Sequence, residues 1–215
     1  MRLLIQLVLV LLVGLVAGVI LNVRPSSSII SPVALTGGVD QTSFSVAQPP
    51  LDAVKAKLTS LSGEVAWQSR VATQPARLRS GRVIQQGETL MTGKVGQATV
   101  VFPTQGKLAL ADNAKVEFVQ TLPARFVFDQ SAGGIDYRNE DKAPWSVKTM
   151  RLVTVIGTGE TRLAIDPDTG IIAVTVIKGE VRVGYNDRDL NSQVISLQPG
   201  ERFVFDNDRR EGAVE

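Results

Sequence analysis

Residues 97–102 read QATVVF and residues 107–118 read KLALADNAKVEF, and these two stretches decide the fold. In both, apolar side chains recur at a spacing of two, the period of a β-strand with one buried face. Between the two apolar pairs of the second stretch, Asp112-Asn113 is a turn signal. The positions predicted to face the core are Ala98, Val100, Phe102, Leu108, Leu110, Val116 and Phe118.

The same period extends outward from about Leu58 to Phe205. Glycine, proline and Asx turn formers separate the runs at intervals of about 6–12 residues, which is typical of antiparallel sheets. Only Leu51–Leu58 has any helical character. We predict an all-β fold, an antiparallel β-sandwich or roll. The further core positions are Phe126, Phe128, Ile135, Tyr137, Leu163, Ile165, Ile172, Val174, Val176, Val181 and Val183.

A weak internal repeat runs through this region. The segment SGEVAW at 62–67 is similar to KGEVRV at 178–183, and QGETL at 86–90 is similar to PGERF at 199–203. In both copies a Gly-Glu-Val strand leads toward a Gly-Glu turn. The pattern predicts two similar β-layers, each covering the apolar face of the other.

The first 23 residues predict a membrane anchor. From Leu3 to Val23 the only polar side chains are Gln6 and Asn22, and as a helix this run spans about 30 Å, the thickness of a hydrocarbon core. A cleaved signal peptide is the main alternative, but its apolar region is usually shorter and ends in a small-x-small site. A buried soluble helix is disfavoured because such helices rarely stay apolar on every face.

The charges that flank the anchor slightly favour a cytoplasmic N-terminus. We therefore expect a single-pass protein of the cell membrane, with its C-terminal domain in the periplasm or outside the cell. Residues 24–55 are predicted to be an extended spacer, 56–206 the β domain and 207–215 a polar tail. As an alternative, Ile29–Leu35 or Phe44–Val46 docks on the domain as an edge strand.

Composition excludes several classes of function. The chain has 23 Lys and Arg against 21 Asp and Glu, a net charge of +2 without an evident basic stripe, so nucleic acid is not an expected partner. It contains no cysteine and no histidine. Disulfides, Ser-His-Asp and Cys-His nucleophilic sites, and histidine-ligated metals are thereby ruled out.

The order of these segments resembles the FecR domain. Its first half is matched by Gly63-Glu64-Val65, by QGETLMTG at 86–93 and by the strand that follows Gly96. Its second half is matched by VTVIKGEVRV at 174–183 and by the closing LQPGE at 197–201. Each motif is only a strand and a glycine turn, but together they cover roughly Leu58 to Asp206 in the family's order.

The resemblance implies an extracytoplasmic regulatory domain. Family members that regulate iron uptake carry a cytoplasmic anti-sigma segment, one membrane helix, this domain and a further C-terminal region that meets an outer-membrane transducer. Here only Met1 and Arg2 precede the predicted helix, and only a short tail follows Phe205. We therefore do not expect direct control of a sigma factor. We expect a stand-alone binding or scaffold module.

Several motifs suggest chemistry, but most are better explained as turns. Asp166, Asp168 and Gly170 resemble the start of a calcium loop, yet Ile177 stands where the bidentate acid belongs, so we predict a hairpin turn. Gly157-Thr158-Gly159 lacks the phosphate-loop pattern and is predicted to be a corner between strands. Nothing in the sequence brings two carboxylates together as glycosidase chemistry would need.

The loop after Tyr137 is the predicted contact surface. Trp67 is in phase with Val65 and is assigned to the core, whereas Trp145 follows Ala143-Pro144 in a charged loop and is expected to be exposed. Loops on a rigid scaffold carry most binding sites. The predicted partner-binding residues are therefore Arg138, Lys142 and Trp145.

These features predict binding rather than catalysis, with no cofactor and no metal. The favoured partner is another protein of the cell envelope, reached by loops or by strand addition at a sheet edge. A cell-wall glycan is the alternative, and it would need two exposed aromatic rings on one face. An enzyme is the remote third possibility.

Overall fold

The computed structural model describes residues 48–104 and 106–215, so the predicted anchor and most of the predicted spacer lie outside the described part. Seventeen β-strands and no helix occur in these residues, which confirms the all-β prediction, and thus no helix there is a candidate to cross a membrane. In chain order the strands are β1 Ala56–Ser62, β2 Val65–Gln68, β3 Ala76–Arg77, β4 Val83–Ile84, β5 Thr89–Thr92, β6 Gln97–Val101, β7 Lys107–Leu110, β8 Lys115–Leu122, β9 Arg125–Asn139, β10 Trp145–Thr149, β11 Leu152–Ile156, β12 Gly159–Asp166, β13 Ile171–Lys178, β14 Val181–Asn186, β15 Ser192–Leu197, β16 Arg202–Asp206 and β17 Glu211–Val214.

The strands form two sheets that share β9. Sheet A has the order β4-β1-β6-β7-β9-β12-β13-β16-β17 and is antiparallel throughout. Sheet B has the order β3-β2-β5-β8-β9-β10-β11-β14-β15, in which only β9 and β10 are parallel. The first half of β9 belongs to sheet B and the second half to sheet A, which makes β9 the seam of the domain.

Strand β9 changes sheets at Gly133. This glycine has φ of 70°, a conformation that L side chains rarely adopt, and a Cβ placed there would lie 2.5 Å from the backbone of Asn113 and Ala114. Beside it the buried Gln130 donates from Nε2 to the carbonyl oxygens of Gly133 (2.8 Å) and Leu163 (3.3 Å). The amide side chain thereby satisfies backbone groups at the point where the strand bends.

The alternating positions predicted from the sequence are all buried in one continuous core. Its largest aromatic group, the aromatic cluster, lies where β6, β8, β9 and β10 meet. Ring centroids within the cluster are 5.3–6.2 Å apart, mostly in edge-on or tilted geometry, the range in which aromatic pairs attract. Its members are Phe102, Phe118, Phe126, Phe128, Tyr137 and Trp145.

The predicted repeat is confirmed for its turns and wrong for its layers. In Gln85–Glu88 and in Gln198–Glu201, the glutamine N–H donates to the glutamate carboxylate at 2.8 and 2.7 Å, and the glycine between them has positive φ. However, the first turn leads from β4 of sheet A to β5 of sheet B, and the second leads from β15 of sheet B to β16 of sheet A. Each sheet therefore contains strands of both halves, because β9 carries the chain across.

Three predictions at the ends of the domain need correction. Residues 207–215 are not a tail, because Glu211–Val214 forms β17 and pairs with β16 along the edge of sheet A. The segment 51–58 is not helical, since β1 begins at Ala56. The domain also starts slightly before residue 56, because the Val54 N–H donates to the Thr121 carbonyl (2.6 Å) and its side chain packs on the core.

Tyr137 connects the core to the bend of β9, and its loss has a predictable cost. Its hydroxyl donates to Gln130 Oε1 (3.1 Å), and burial, followed by the nearby Asp129 charge, raises its pKa well above 10.0. We expect Tyr137→Phe to lower the free energy of unfolding by about 1–3 kcal/mol at neutral pH, because the Gln130 oxygen is left unpaired. Denaturant titration measures this difference.

The pH dependence provides an internal control for Tyr137→Phe. The pKa of Tyr137 is higher in the folded than in the unfolded protein, where it is near 10. The neutral hydroxyl therefore contributes its full stabilisation below pH 10, and this contribution is lost as the pH rises toward the folded-state pKa. The difference in the free energy of unfolding between wild type and Tyr137→Phe should therefore become smaller above pH 10. A gap that stays constant there would show that the Tyr137 proton is not linked to folding.

Candidate binding surfaces

The predicted contact residues lie at the end of β9, in the β9–β10 loop and at the start of β10, and the structure exposes two of the three. Arg138 is exposed and forms an ion pair with Glu140 (2.6 Å), and Lys142 is exposed at the loop tip. Trp145 is completely buried, so its predicted exposure is wrong. The loop therefore offers charged side chains but no aromatic ring, and Trp145 is not available to a partner.

Trp145 is buried because it opens β10 on the inner face of sheet B. Its ring lies 5.3 Å from that of Phe128 and 5.4 Å from that of Phe102, and a Cβ on Gly106 would overlap it. The buried Asn139 holds the preceding loop by donating to the carbonyls of Ala143 (3.0 Å) and Ile156 (3.3 Å). These bonds fix the backbone that turns the indole inward.

Trp67 lies nearer the surface than predicted. It packs against the core but is only partly buried, and the Arg82 guanidinium carbon lies 3.3 Å from its ring centroid. This stacking is a cation–π contact. No aromatic ring in residues 48–104 and 106–215 is fully exposed.

The other motifs adopt the predicted turns. Asp166 Oδ1 accepts from the N–H groups of Asp168 (3.0 Å) and Thr169 (3.4 Å), and hydrogen bonding, chiefly to the Thr169 side chain, lowers the pKa of Asp166. Gly157 and Thr158 form the corner between β11 and β12, and Gly159 begins β12. In the part of the chain that the structure describes, no three acidic side chains gather in a metal-binding arrangement.

A polar cleft of about 440 Å³ opens on the outer face of sheet B. Its floor is a cross-strand row of Gln68, Thr89, Glu117 and Asp129, contributed by β2, β5, β8 and β9. Arg70 and Lys115 add positive charge, and Asp129 also pairs with Lys148 (3.2 Å). The mixture of charges gives the cleft no clear preference for anions or cations. Sequence reasoning missed it because four distant strands build it.

The edge strands β3, β4 and β15 differ in how well they are protected. Sheets A and B each end on one side in a two-residue strand, β4 and β3. Sheet B ends on the other side in β15, six residues without any charge, where Val194 is 70% exposed. Asp187 fixes the entry to this strand by accepting from the N–H of Asn191 (2.9 Å) and from Gln193 Nε2 (2.9 Å). Charged side chains, prolines and short length normally protect edges, and β15 has none of the three.

A basic side was also missed by sequence reasoning, which predicted no basic stripe. Residues 65–87 contain four arginines and no acid, although the whole chain is only +2. Arg77 ends β3, the connection from β3 to β4 carries Arg79 and Arg82, and Val83 of β4 lies opposite Lys57 of β1. The basic side consists of Lys55, Lys57, Arg77, Arg79 and Arg82.

Comparison with known proteins identifies the fold but no family. Two crystal structures of a candidate anti-sigma factor from Parabacteroides distasonis are similar to this chain, with TM-scores of 0.52 and identities of 16% and 15%. The similar region covers 59% of this chain and 58% of the other, so this chain spans less than two thirds of that protein. No family model and no curated protein matches the sequence. The shared fold is consistent with the FecR resemblance, which stays a prediction.

Proposed function

We propose that this protein is a membrane-tethered regulatory module that binds an envelope protein outside the cytoplasm and performs no catalysis. The observation that carries the proposal is the unprotected edge strand β15 on an otherwise well-packed domain. The role of regulator is supported by fold similarity to a candidate anti-sigma factor, and the tether by the apolar run before residue 24. The absence of histidine and cysteine supports the non-catalytic role.

The proposed mechanism is strand addition at the free side of β15. In an edge strand, alternate N–H and C=O groups point away from the sheet, and an extended partner segment pairs with them. Strand β14 occupies the inner side of β15 over its full length, from Val181 opposite Leu197 to Asn186 opposite Ser192. The edge is therefore held straight and in register before any partner arrives, which lowers the ordering cost of binding.

A glycan partner receives no support from the described residues. Sugar platforms use exposed aromatic rings, whereas Trp145 is in the core and Trp67 lies beneath Arg82. The other aromatic side chains of the described part are buried or packed against the core. The protein partner is therefore the function that the structure supports best.

In-cell photocrosslinking tests the proposal. With a photo-reactive residue in place of Ser196, the full-length protein should form a discrete crosslinked band with one envelope protein. Adding Val194→Lys should reduce that band by about 10-fold or more, because a charged edge residue discourages strand pairing. The same substitution should change the free energy of unfolding by less than about 0.5 kcal/mol, since Val194 is exposed.

Val153→Lys is the matched control. Val153 is 44% exposed on β11 and lies in the same cross-strand row as Val194, with Gly184 between them, but it is not on the edge. Its substitution should leave the crosslink intact. If both substitutions reduce the crosslinked band equally, the partner binds to the face of the sheet and strand addition is contradicted. A band obtained only from a probe at Lys142 would move the contact to the β9–β10 loop.

A further inference from the structure

The basic side lies where the two sheets begin and where the chain enters the domain. Lys57 of β1 pairs with Val83 of β4, and both side chains are exposed. Residues 78–82 then connect β4 of sheet A to β3 of sheet B, which carries Arg77. Lys57 lies on the outer face of sheet A and Arg77 on the outer face of sheet B. The connection that carries Arg79 and Arg82 joins these two edges, so the basic side is one lateral edge of the sandwich.

Backbone hydrogen bonds hold this connection in place. The Leu78 N–H donates to the Val65 carbonyl (2.8 Å), and the Leu58 N–H donates to the Arg82 carbonyl (2.8 Å). Leu78 packs on the core between the exposed Arg77 and Arg79. Gly81 passes so close to the Leu58 carbonyl oxygen that a Cβ would lie 2.5 Å from it. The arginines therefore stand on a fixed scaffold.

The positive charges of the basic side are not neutralised within the described part of the chain. The five ion pairs found there involve Arg138, Lys148, Arg162, Arg202 and Arg209, none of which belongs to this side. One exposed apolar side chain accompanies the charges, Val83 (46% exposed), which lies opposite Lys57. Cationic and apolar groups side by side are what a lipid headgroup region accommodates.

We propose that the basic side rests on the membrane surface and binds the phosphate groups of acidic phospholipids. This inference depends on the membrane tether of the proposed function. Guanidinium groups bind phosphate oxygens in a bidentate manner, and several basic side chains acting together give useful affinity for an anionic surface. The basic side also adjoins β1, the first strand after the predicted spacer. That spacer has a predicted average end-to-end distance of roughly 30 Å, which keeps β1 close to the membrane. Docking by this side orients the domain and leaves β15, at the opposite end of sheet B, free for a partner.

Fluorescence of a single label tests the contact. The chain has no cysteine, so Ser80→Cys introduces one labelling site beside Arg79 for an environment-sensitive dye. The full-length labelled protein is reconstituted into phosphatidylcholine vesicles and into vesicles that also contain phosphatidylglycerol. We expect a blue shift, and quenching by spin-labelled lipid, only in the vesicles with phosphatidylglycerol. Raised salt should reverse both signals because the interaction is electrostatic.

Charge variants identify the residues responsible. Arg77→Gln with Arg79→Gln should weaken docking by about 5-fold per arginine, as estimated for basic residues at an acidic membrane surface. Arg125→Gln with Arg182→Gln removes the same charge from exposed positions elsewhere and should have no effect. Equal weakening by both pairs would overturn the site.

The remaining outcomes separate this inference from the tether itself. If the protein resists alkaline extraction but the dye reports an aqueous environment in both kinds of vesicle, the membrane tether is supported and the docking of the basic side is contradicted. A blue shift of the same size in both lipids would also contradict phosphate recognition. If the dye shifts only when an acidic protein is added, the basic side binds protein and the lipid proposal fails. Failure to stay in alkali-washed vesicles would contradict the tether.

Discussion

Replacing Trp145 by alanine is expected to lower the free energy of unfolding by about 3–5 kcal/mol, the usual cost of removing a large buried aromatic side chain. The ring is completely buried and lies within 5.7 Å, centroid to centroid, of three phenylalanine rings. Its removal leaves a cavity at the junction of β9 and β10, where the sheet changes from antiparallel to parallel pairing. The surrounding strands are held by their ladders, so the cavity cannot easily collapse.

Denaturant unfolding followed by circular dichroism measures this loss, and Trp67→Ala is the control. Trp67 is only partly buried and one face is covered by a single arginine side chain, so its truncation should cost about 1–2 kcal/mol. Trp145→Phe, which keeps most of the volume, should lose much less than Trp145→Ala. If Trp67→Ala proves the more destabilising of the two alanine variants, the assignment of the two indoles is reversed.

The two tryptophans show what the period of two can and cannot predict about the burial of a side chain. Trp67 is two residues from the buried Val65 on the same strand, and the period of two correctly turns its ring toward the core. The period cannot show that β2 is next to the short edge strand β3, where cover is thin. Trp145 begins a strand after a proline, but the period of two counted back from the buried Val147 places its ring in the core as well. What the sequence does not contain is the parallel pairing of Trp145 with Phe126, nineteen positions earlier in the chain.

Individual strands can be predicted from local sequence, but their assignment to sheets cannot. The alternating residues around Val100 and Phe118 predict individual strands because the signal is local, and all of those positions are buried. Assignment to sheets depends on Gly133, where one strand changes sheets, and a Gly-Gly pair in a sequence is equally consistent with a hairpin turn. Tertiary packing, rather than local preference, decides between these two structures.

Surfaces were harder to predict than the core for a related reason. The arginines at 77, 79 and 82 are visible in the sequence, but their partners in the basic side include Lys57, which lies opposite Val83 through strand pairing. In the same way, β15 reads as an ordinary strand, and its importance comes from being last in sheet B. Both candidate surfaces are products of strand order, which single-sequence patterns do not contain.

Gly179→Ala is the second substitution with a large expected effect, and Gly200→Ala is its matched control. The two glycines have nearly equal φ values, 86° and 91°, so alanine is strained at both. A Cβ at Gly179 would lie 2.2 Å from the Thr158 carbonyl oxygen and 3.0 Å from Gly159 Cα, whereas a Cβ at Gly200 would meet nothing within 4 Å. The pair therefore separates backbone strain from steric overlap.

We expect Gly200→Ala to cost about 1–2 kcal/mol, the strain of a left-handed alanine. Gly179→Ala adds the displacement of the β11–β12 corner, for a total of about 2–5 kcal/mol. The difference arises because the corners at 157–159 and at Gly179 pass from one sheet to the other in direct backbone contact. Thermal or denaturant unfolding of both variants measures it. Equal losses would mean that the two corners have room to separate, and that their close approach does not stabilise the junction between the sheets.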